Sequence, residues 1–185
     1  MTRFPAVGRG WLVAAALTLA VAPGLARDTG AQSNEAVTAA FLYNFAKFSE
    51  WTALPPGNPI VVCVVGDDAV AAAFVDIVRG QTVNGHALDT WRPLEARTWR
   101  SCHLLYIAAV ETPRAAAGLG VLKALPVLTI SDSKGFAQSG GIIELYVETQ
   151  RVRFAINVDA LERSGLRLSS RLLGLAKIVR DSHVQ

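Results

Sequence analysis

The sequence contains few of the residues from which catalytic and metal sites are most often built. It has three histidines in 185 residues, and His86, His103 and His183 lack the spacing of zinc ligands. It also lacks a Gly-x-Ser-x-Gly motif, a phosphate-binding glycine loop and a dinucleotide fingerprint. The sequence therefore predicts no catalytic residues, no metal site and no cofactor, and it favours a binding protein over an enzyme.

Neither sign of charge dominates the chain. Eighteen Lys and Arg residues stand against 15 Asp and Glu residues, which gives a formal net charge of +3. Proteins that bind nucleic acid usually present a strongly basic face. We therefore expect no nucleic-acid partner.

The chain also lacks an apolar run long enough to span a membrane. The run at residues 11–21 is shorter than the ~20 residues that a transmembrane helix needs. Arg3 and Arg9 precede it, and the small residues of Gly24-Leu25-Ala26 follow it, as in a secretory signal peptide. We therefore predict a signal peptide over residues 1–26, with an uncleaved anchor as the alternative.

The remaining residues, 27–185, have the size of one domain with its own core. Cleavage after Ala26 would remove two arginines and no acid, so the net charge would fall from +3 to +1. With no second long apolar run, we expect a periplasmic protein that is not itself a membrane protein.

The two cysteines, Cys63 and Cys102, are few but even in number. In an exported protein an even count favours a disulfide, since the compartment is oxidising. The alternative is a pair of free buried thiols.

Buried strands and helices alternate along the chain. Residues 60–65, 103–109 and 127–131 are continuous apolar runs typical of parallel strands. An antiparallel hairpin is predicted at 142–157, and a final helix at 169–180. We predict a three-layer α/β domain with a mostly parallel mixed sheet, helices on both faces and a C-terminal hairpin that adds a non-parallel edge.

Two pairs of charged residues could bind a ligand. Asp67 and Asp68 follow a predicted strand, where open α/β sheets place ligands, although a helix cap with a solvated acid is the preferred explanation. Arg151 and Arg153 share one face of a predicted strand and could bind an anion, although a solvated face is commoner.

Four apolar residues lie off the predicted buried stripes and are candidates for partner contact. Leu42 and Tyr43 lie off the stripe of the first helix, which we predict over residues 34–51. Leu173 and Ile178 flank the stripe of the last helix. Exposed apolar patches often mark interfaces, but burial within the domain or a dimer is the alternative.

Five segments together resemble the YfiR family of periplasmic proteins. They include AAFLYNFAKF in the first helix, CHLLYI in a buried strand and RVRFAIN in the hairpin. In order, the segments are residues 39–51, 62–66, 102–107, 128–143 and 151–176.

The resemblance implies a homodimeric, non-enzymatic α/β protein. It would bind and inhibit the periplasmic sensor domain of a membrane-bound diguanylate cyclase or other sensor protein, and so control cyclic di-GMP and biofilm growth. It also implies redox control through disulfides, but this chain lacks the cysteine pair found after the third strand in the family. The alternative is a periplasmic small-molecule sensor, with its pocket near Asp67, Asp68 and residues 132–141 and with Arg151 and Arg153 as further candidates for its lining.

Overall fold

The computed structural model describes residues 34–182, so the predicted signal peptide at 1–26 lies outside the described residues. The helices of the described chain are α1 (Asn34–Lys47), α2 (Asp68–Val78), α3 (Thr112–Gly120), α4 (Val158–Ser164) and α5 (Ser170–Leu175). Its strands are β1 (Ser49–Glu50), β2 (Ile60–Val65), β3 (Thr82–Val83), β4 (His86–Trp91), β5 (Leu104–Ile107), β6 (Leu128–Ser131), β7 (Ile143–Glu148), β8 (Arg151–Asn157), β9 (Arg167–Leu168) and β10 (Lys177–Val179). A 3-10 helix covers Ala96–Ser101.

A mixed eight-stranded sheet organises the domain, in the order β10-β8-β7-β6-β5-β2-β4-β3. The strands β4, β2, β5, β6 and β7 run parallel, and β8 is antiparallel to β7. The short strands β1 and β9 form a separate antiparallel pair. This mostly parallel sheet flanked by helices confirms the predicted fold class.

The two faces of the large sheet are covered very differently. On one side, which we call the helix face, α1 and α2 help to bury Val62, Leu104 and Ile130 in the larger core cluster. On the other, the disulfide face, the 3-10 helix and α3 cover the smaller cluster around Cys63 and Leu105. Alternate residues of a strand point to opposite faces, so every central strand contributes to both.

The first helix ends earlier than predicted and is buried more widely. It stops at Lys47, and Ser49–Glu50 then pairs with Arg167–Leu168 instead of continuing the helix to residue 51. Leu42 was predicted to lie off the apolar stripe of this helix, but it is 0% exposed. The reason is that α1 packs against α2 as well as the sheet, so that one apolar stripe does not account for its buried surface.

The final helix is also shorter than predicted. It ends at Leu175, and Lys177–Val179 forms β10 beside β8. The antiparallel hairpin is therefore present, but it is not the edge of the sheet. Pairing of β10 satisfies the backbone groups along β8, which a helix continuing to residue 180 would leave open.

Candidate functional site

The cysteine pair forms a disulfide on the disulfide face. Cys63 lies in β2 and Cys102 directly follows the 3-10 helix, with 5.9 Å between their Cα atoms. Both residues are buried beside Trp99 and Leu105. The bond therefore fixes the 3-10 helix to the centre of the sheet, as the even cysteine count predicted.

Asp67 is the N-cap of α2. Its carboxylate accepts a hydrogen bond from the Val70 amide over 2.9 Å, which satisfies a donor at the helix start. Asp68 is exposed and forms an ion pair with Arg92 at 3.3 Å. Both acids thus have structural partners, which is the simpler of the two explanations from sequence.

Arg151 and Arg153 lie on the hairpin formed by β7 and β8. Both are exposed, and Arg153 lies 3.9 Å from the carboxylate of Glu148. Pairing between β6 and β7 stops at Glu144, so the last four residues of β7 project about 14 Å beyond β6. At the tip, Thr149 and Gln150 both have positive φ angles, 46° and 61°.

The structure does not bring these two charged pairs together. The strand order places β8 four positions from β2, which corresponds to about 19 Å between the two strands. The two aspartates and the two arginines therefore do not line one pocket, whereas Asp67 and Asp132 both act on Tyr106.

Tyr106 and Asp132 were not selected from sequence, yet they meet at the carboxyl edge of the sheet. Burial raises the pKa of Tyr106, and the nearby carboxylates of Asp132 and Asp67 raise it further. The phenol therefore stays protonated, and Asp132 is engaged by the Ala109 amide at 2.8 Å. The arrangement positions loops and offers no reactive group.

The four predicted partner-contact residues divide into buried and accessible ones. Leu42 is in the core, so its predicted surface position is wrong, while Tyr43 and Leu173 are partly buried against that core. Ile178 is 49% exposed on β10. Sequence analysis missed Leu175, which is 70% exposed.

Leu175 and Ile178 lie at one edge of the sheet, in a segment that is firmly anchored. The fully buried Asn157 donates to the Asp181 carboxylate over 2.7 Å, and Arg163 pairs with the same carboxylate at 2.5 Å. These contacts, the Arg163 hydrogen bond first, hold the pKa of Asp181 below its usual value. The Ser182 amide also donates to the Gln138 carbonyl at 3.0 Å. This edge, defined by Leu173, Leu175 and Ile178, is called the α5–β10 edge below.

A second exposed apolar site lies near the opposite end of the sheet. Trp91, at the end of β4, is 45% exposed, and Leu94 just after it is 101% exposed. In register, Trp91 is the neighbour of Cys63 on the disulfide face. The indole of Trp91 is therefore accessible from that side of the sheet.

His103 lies at the amino-terminal end of β5. Its Nδ1 accepts a hydrogen bond from the Val61 amide at 3.0 Å, and its own amide donates to the Val61 carbonyl at 2.8 Å. Trp51 packs edge-on against the ring at 5.9 Å. Burial, and then the charge of nearby His86, lower the pKa of His103, so the imidazole is held neutral.

The described residues also bear on membrane and metal binding. Within 34–182, every helix is too short or too polar to cross a bilayer. In the same range, no cluster of three or more His, Cys, Asp or Glu side chains is arranged as a metal site.

Comparison with known proteins links the chain to one family. The sequence model described as YfiR/HmsC-like matches residues 35–177. A search of curated proteins gives no significant match.

Among solved structures, the crystal structure of a conserved domain protein from Vibrio cholerae O1 biovar El Tor strain N16961 is 14% identical and has a TM-score of 0.43. The match covers 64% of this chain and 54% of that chain, so this chain spans about half of that structure's length. A TM-score of 0.43 is too low to support a structural or functional argument.

Proposed function

Because the chain belongs to the YfiR/HmsC-like family, we propose that it is a periplasmic regulator of cyclic di-GMP signalling that inhibits a membrane-bound diguanylate cyclase. The family is regulatory and non-catalytic, and this membership is the observation that carries the proposal. The regulator would bind the periplasmic sensor domain of the cyclase.

The α5–β10 edge is the surface that we assign to the receptor. Leu175 and Ile178 are apolar side chains, yet they are 70% and 49% exposed. Burial of these side chains against a partner would be favourable in free energy. The Asn157 and Asp181 contacts already fix the segment in place. A preformed surface loses little conformational entropy on binding, which favours its use for docking.

Inhibition requires that the regulator bind one state of the receptor more tightly than the other. A ligand shifts a two-state equilibrium only by the difference between its affinities for the two states. The proposal therefore places the α5–β10 edge against the inactive form of the sensor domain. Release of the regulator would return the receptor to its active form.

The test combines capture with enzyme activity. Residues 27–185, the chain without the predicted signal peptide, are used to capture proteins from solubilised membranes of the source bacterium. Captured proteins are identified by mass spectrometry. Cyclic di-GMP synthesis by the captured cyclase in membrane vesicles is then measured with and without the regulator. We expect the wild-type regulator to lower synthesis, and Leu175→Asp to abolish both capture and inhibition.

Val147→Asp is the matched control, because it places the same charge on an apolar residue of β7 that is 73% exposed and belongs to neither the α5–β10 edge nor the Trp91–Leu94 site. It should capture and inhibit as the wild type does. If no membrane cyclase is captured, or if wild-type regulator leaves cyclic di-GMP synthesis unchanged, the proposal is wrong. If Val147→Asp alone abolishes capture, the docking surface is at the β7–β8 hairpin instead.

A homodimer remains part of this proposal. Trp91 and Leu94 offer an apolar surface separate from the α5–β10 edge, so a dimer formed there would leave the receptor surface free. Analytical ultracentrifugation of wild type and Trp91→Asp tests this point. A monomeric wild type, or a Trp91→Asp dimer of unchanged affinity, would contradict it.

A further inference from the structure

The connection between β6 and β7 leaves part of the disulfide face without a helix. Residues 132–142 form turns where parallel neighbours are usually joined by a helix, and α3 ends at Gly120. A cavity of about 220 Å³ lies between α3, this connection and α4. Its volume is below the usual range for drug-sized ligands, so it fits a smaller molecule.

The inner wall of this cavity is apolar and well fixed. Leu122, Val127, Phe136 and Ile142 line it, and each is at most 4% exposed. The Phe136 ring lies against Gly141, where a Cβ atom would come within 2.1 Å of ring atom Cε1. The ring is thus packed on backbone, and the cavity does not depend on a mobile side chain.

One buried hydroxyl reaches the same cavity. Thr129 is 6% exposed and its Oγ1 accepts a hydrogen bond from the Ile142 amide at 3.0 Å. Within 34–182 this hydroxyl makes no hydrogen bond as a donor. A bound molecule with an oxygen acceptor would satisfy this donor.

The charged residues that line the cavity are both cations. They are Lys123 and Lys134, and neither has a carboxylate within 4.0 Å in 34–182. Lys123 Nζ and Arg163 Nη2 both approach Gly140, at 3.9 Å and 4.0 Å from the position of a Cβ atom there. Arg163 is paired with Asp181, whose carboxylate also interacts electrostatically with Lys123, so Lys134 is the cation of this lining that is farther from an acid. Gly140 has a φ of 99°, which favours glycine and keeps this approach open.

We propose that this cavity binds a small carboxylic acid with an apolar body. The apolar part would lie against Leu122, Val127 and Phe136, and the carboxylate would face the ammonium groups of Lys123 and Lys134. An apolar wall with a few convergent polar groups is the usual composition of a small-molecule site. The ligand would contact both α3 and the 132–142 connection and would reduce the mobility of this part of the disulfide face. The inference does not depend on the proposed receptor.

The test uses straight-chain carboxylates as probes. Thermal unfolding of residues 27–185, the chain without the predicted signal peptide, is followed at rising concentrations of butyrate, hexanoate and octanoate. Two control probes are included: 1-hexanol has an apolar body but no charge, and inorganic phosphate has charge but no apolar body. We expect at least one carboxylate to raise Tm in a saturable way, as mass action requires. Hexanol and phosphate should bind about tenfold more weakly or worse, since each loses either the charge-assisted bonds or the apolar contacts.

The chain supplies its own matched control, since it has two further exposed lysines. Lys123→Met with Lys134→Met should weaken carboxylate binding about tenfold or more, whereas Lys47→Met with Lys177→Met should leave it unchanged. The amide resonances of Gly140 and Gly141 should shift on binding in the wild type. If none of the three carboxylates gives saturable stabilisation, or if both lysine pairs lower affinity equally, the proposed site is wrong.

Discussion

The two faces of the central sheet are stabilised by different means. On the helix face, α1 brings Ala39, Leu42 and Phe45 into contact with a continuous apolar core, and each is 0% exposed. The disulfide face has a smaller cluster, a 3-10 helix and a nine-residue α3, with a covalent bond at its centre. Hydrophobic burial stabilises the first face, whereas the second combines a smaller buried cluster with a cross-link.

This difference also bears on where the proposed ligand site lies. The disulfide face contains the cavity beside Phe136 and the exposed side chain of Trp91. Close-packed layers resist change in volume and leave no room for a ligand. A face held by a disulfide and turns can retain a cavity and still be ordered.

The largest expected effect is on the helix face. Phe45 packs against Phe154 with 5.2 Å between ring centroids and against Phe41 with 5.8 Å. Phe45→Ala should lower the free energy of unfolding by ~3–5 kcal/mol, because it removes apolar contacts and leaves a cavity. Urea unfolding followed by circular dichroism measures it, and Leu175→Ala should change little as an exposed control. A loss below ~1 kcal/mol would show that the helix face is loosely packed.

Reduction of the disulfide should have the next largest effect. Cys63 and Cys102 are separated by 39 residues, and breaking their bond should lower the free energy of unfolding by ~2–4 kcal/mol through chain entropy. Cys63→Ala with Cys102→Ala should behave similarly.

Hydrogen exchange locates the change caused by reduction. We expect protection to fall first in the 3-10 helix and α3, while α1 keeps its protection. Equal loss of protection on both faces would mean that they unfold as one unit. It would contradict the inference that the two faces are stabilised by different means.

A glycine in α3 tests how closely the disulfide face is packed. A Cβ atom at Gly118 would lie 2.7 Å from both Ala96 Cβ and Trp99 Cζ3. Gly118→Ala should therefore destabilise by ~1–2 kcal/mol net, because overpacking outweighs the gain in helix propensity. Gly120→Ala is the control, since no atom lies within 4 Å of its Cβ position, and it should be neutral or stabilising. Equal Tm values for the two variants would contradict the close contact.

Local pattern predicted the central strands but not short ones such as Lys177–Val179. Ile60–Val65 has the predicted bounds, because this apolar run lies between Pro59 and Gly66. The cysteine pair was also predictable from count and compartment. These features depend on neighbouring residues or on the composition of the chain.

Features that depend on strand order were not predictable. The leucine periodicity favoured a helix through residue 180, but Gly174 weakens it and the open edge of β8 pairs with Lys177–Val179. Leu175 became exposed when the helix ended there. Likewise, the distance between Asp67 and Arg151 follows from the order of five strands, which no local motif records.

The smallest expected effect concerns pH at the amino-terminal end of β5. Burial, and then the charge of His86, lower the pKa of His103. The His103 imidazole therefore loses its proton more readily in the folded protein than in the unfolded chain. Its stabilising contribution is therefore complete above the unfolded pKa of 6.5 and decreases as pH falls below it. Protonation would also set an Nδ1 hydrogen against the Val61 amide.

His103→Asn tests this contribution, because its side-chain oxygen can accept from the Val61 amide without titrating. From pH 7.5 to 5.5, wild type should lose more stability than the variant, with a difference in slope below about 1.4 kcal/mol per pH unit, the limit for one proton. His86→Asn should reduce the wild-type slope only in part, since His86 is the second cause of the shift. Parallel pH profiles for wild type and His103→Asn would show that the Val61 amide does not require a neutral imidazole.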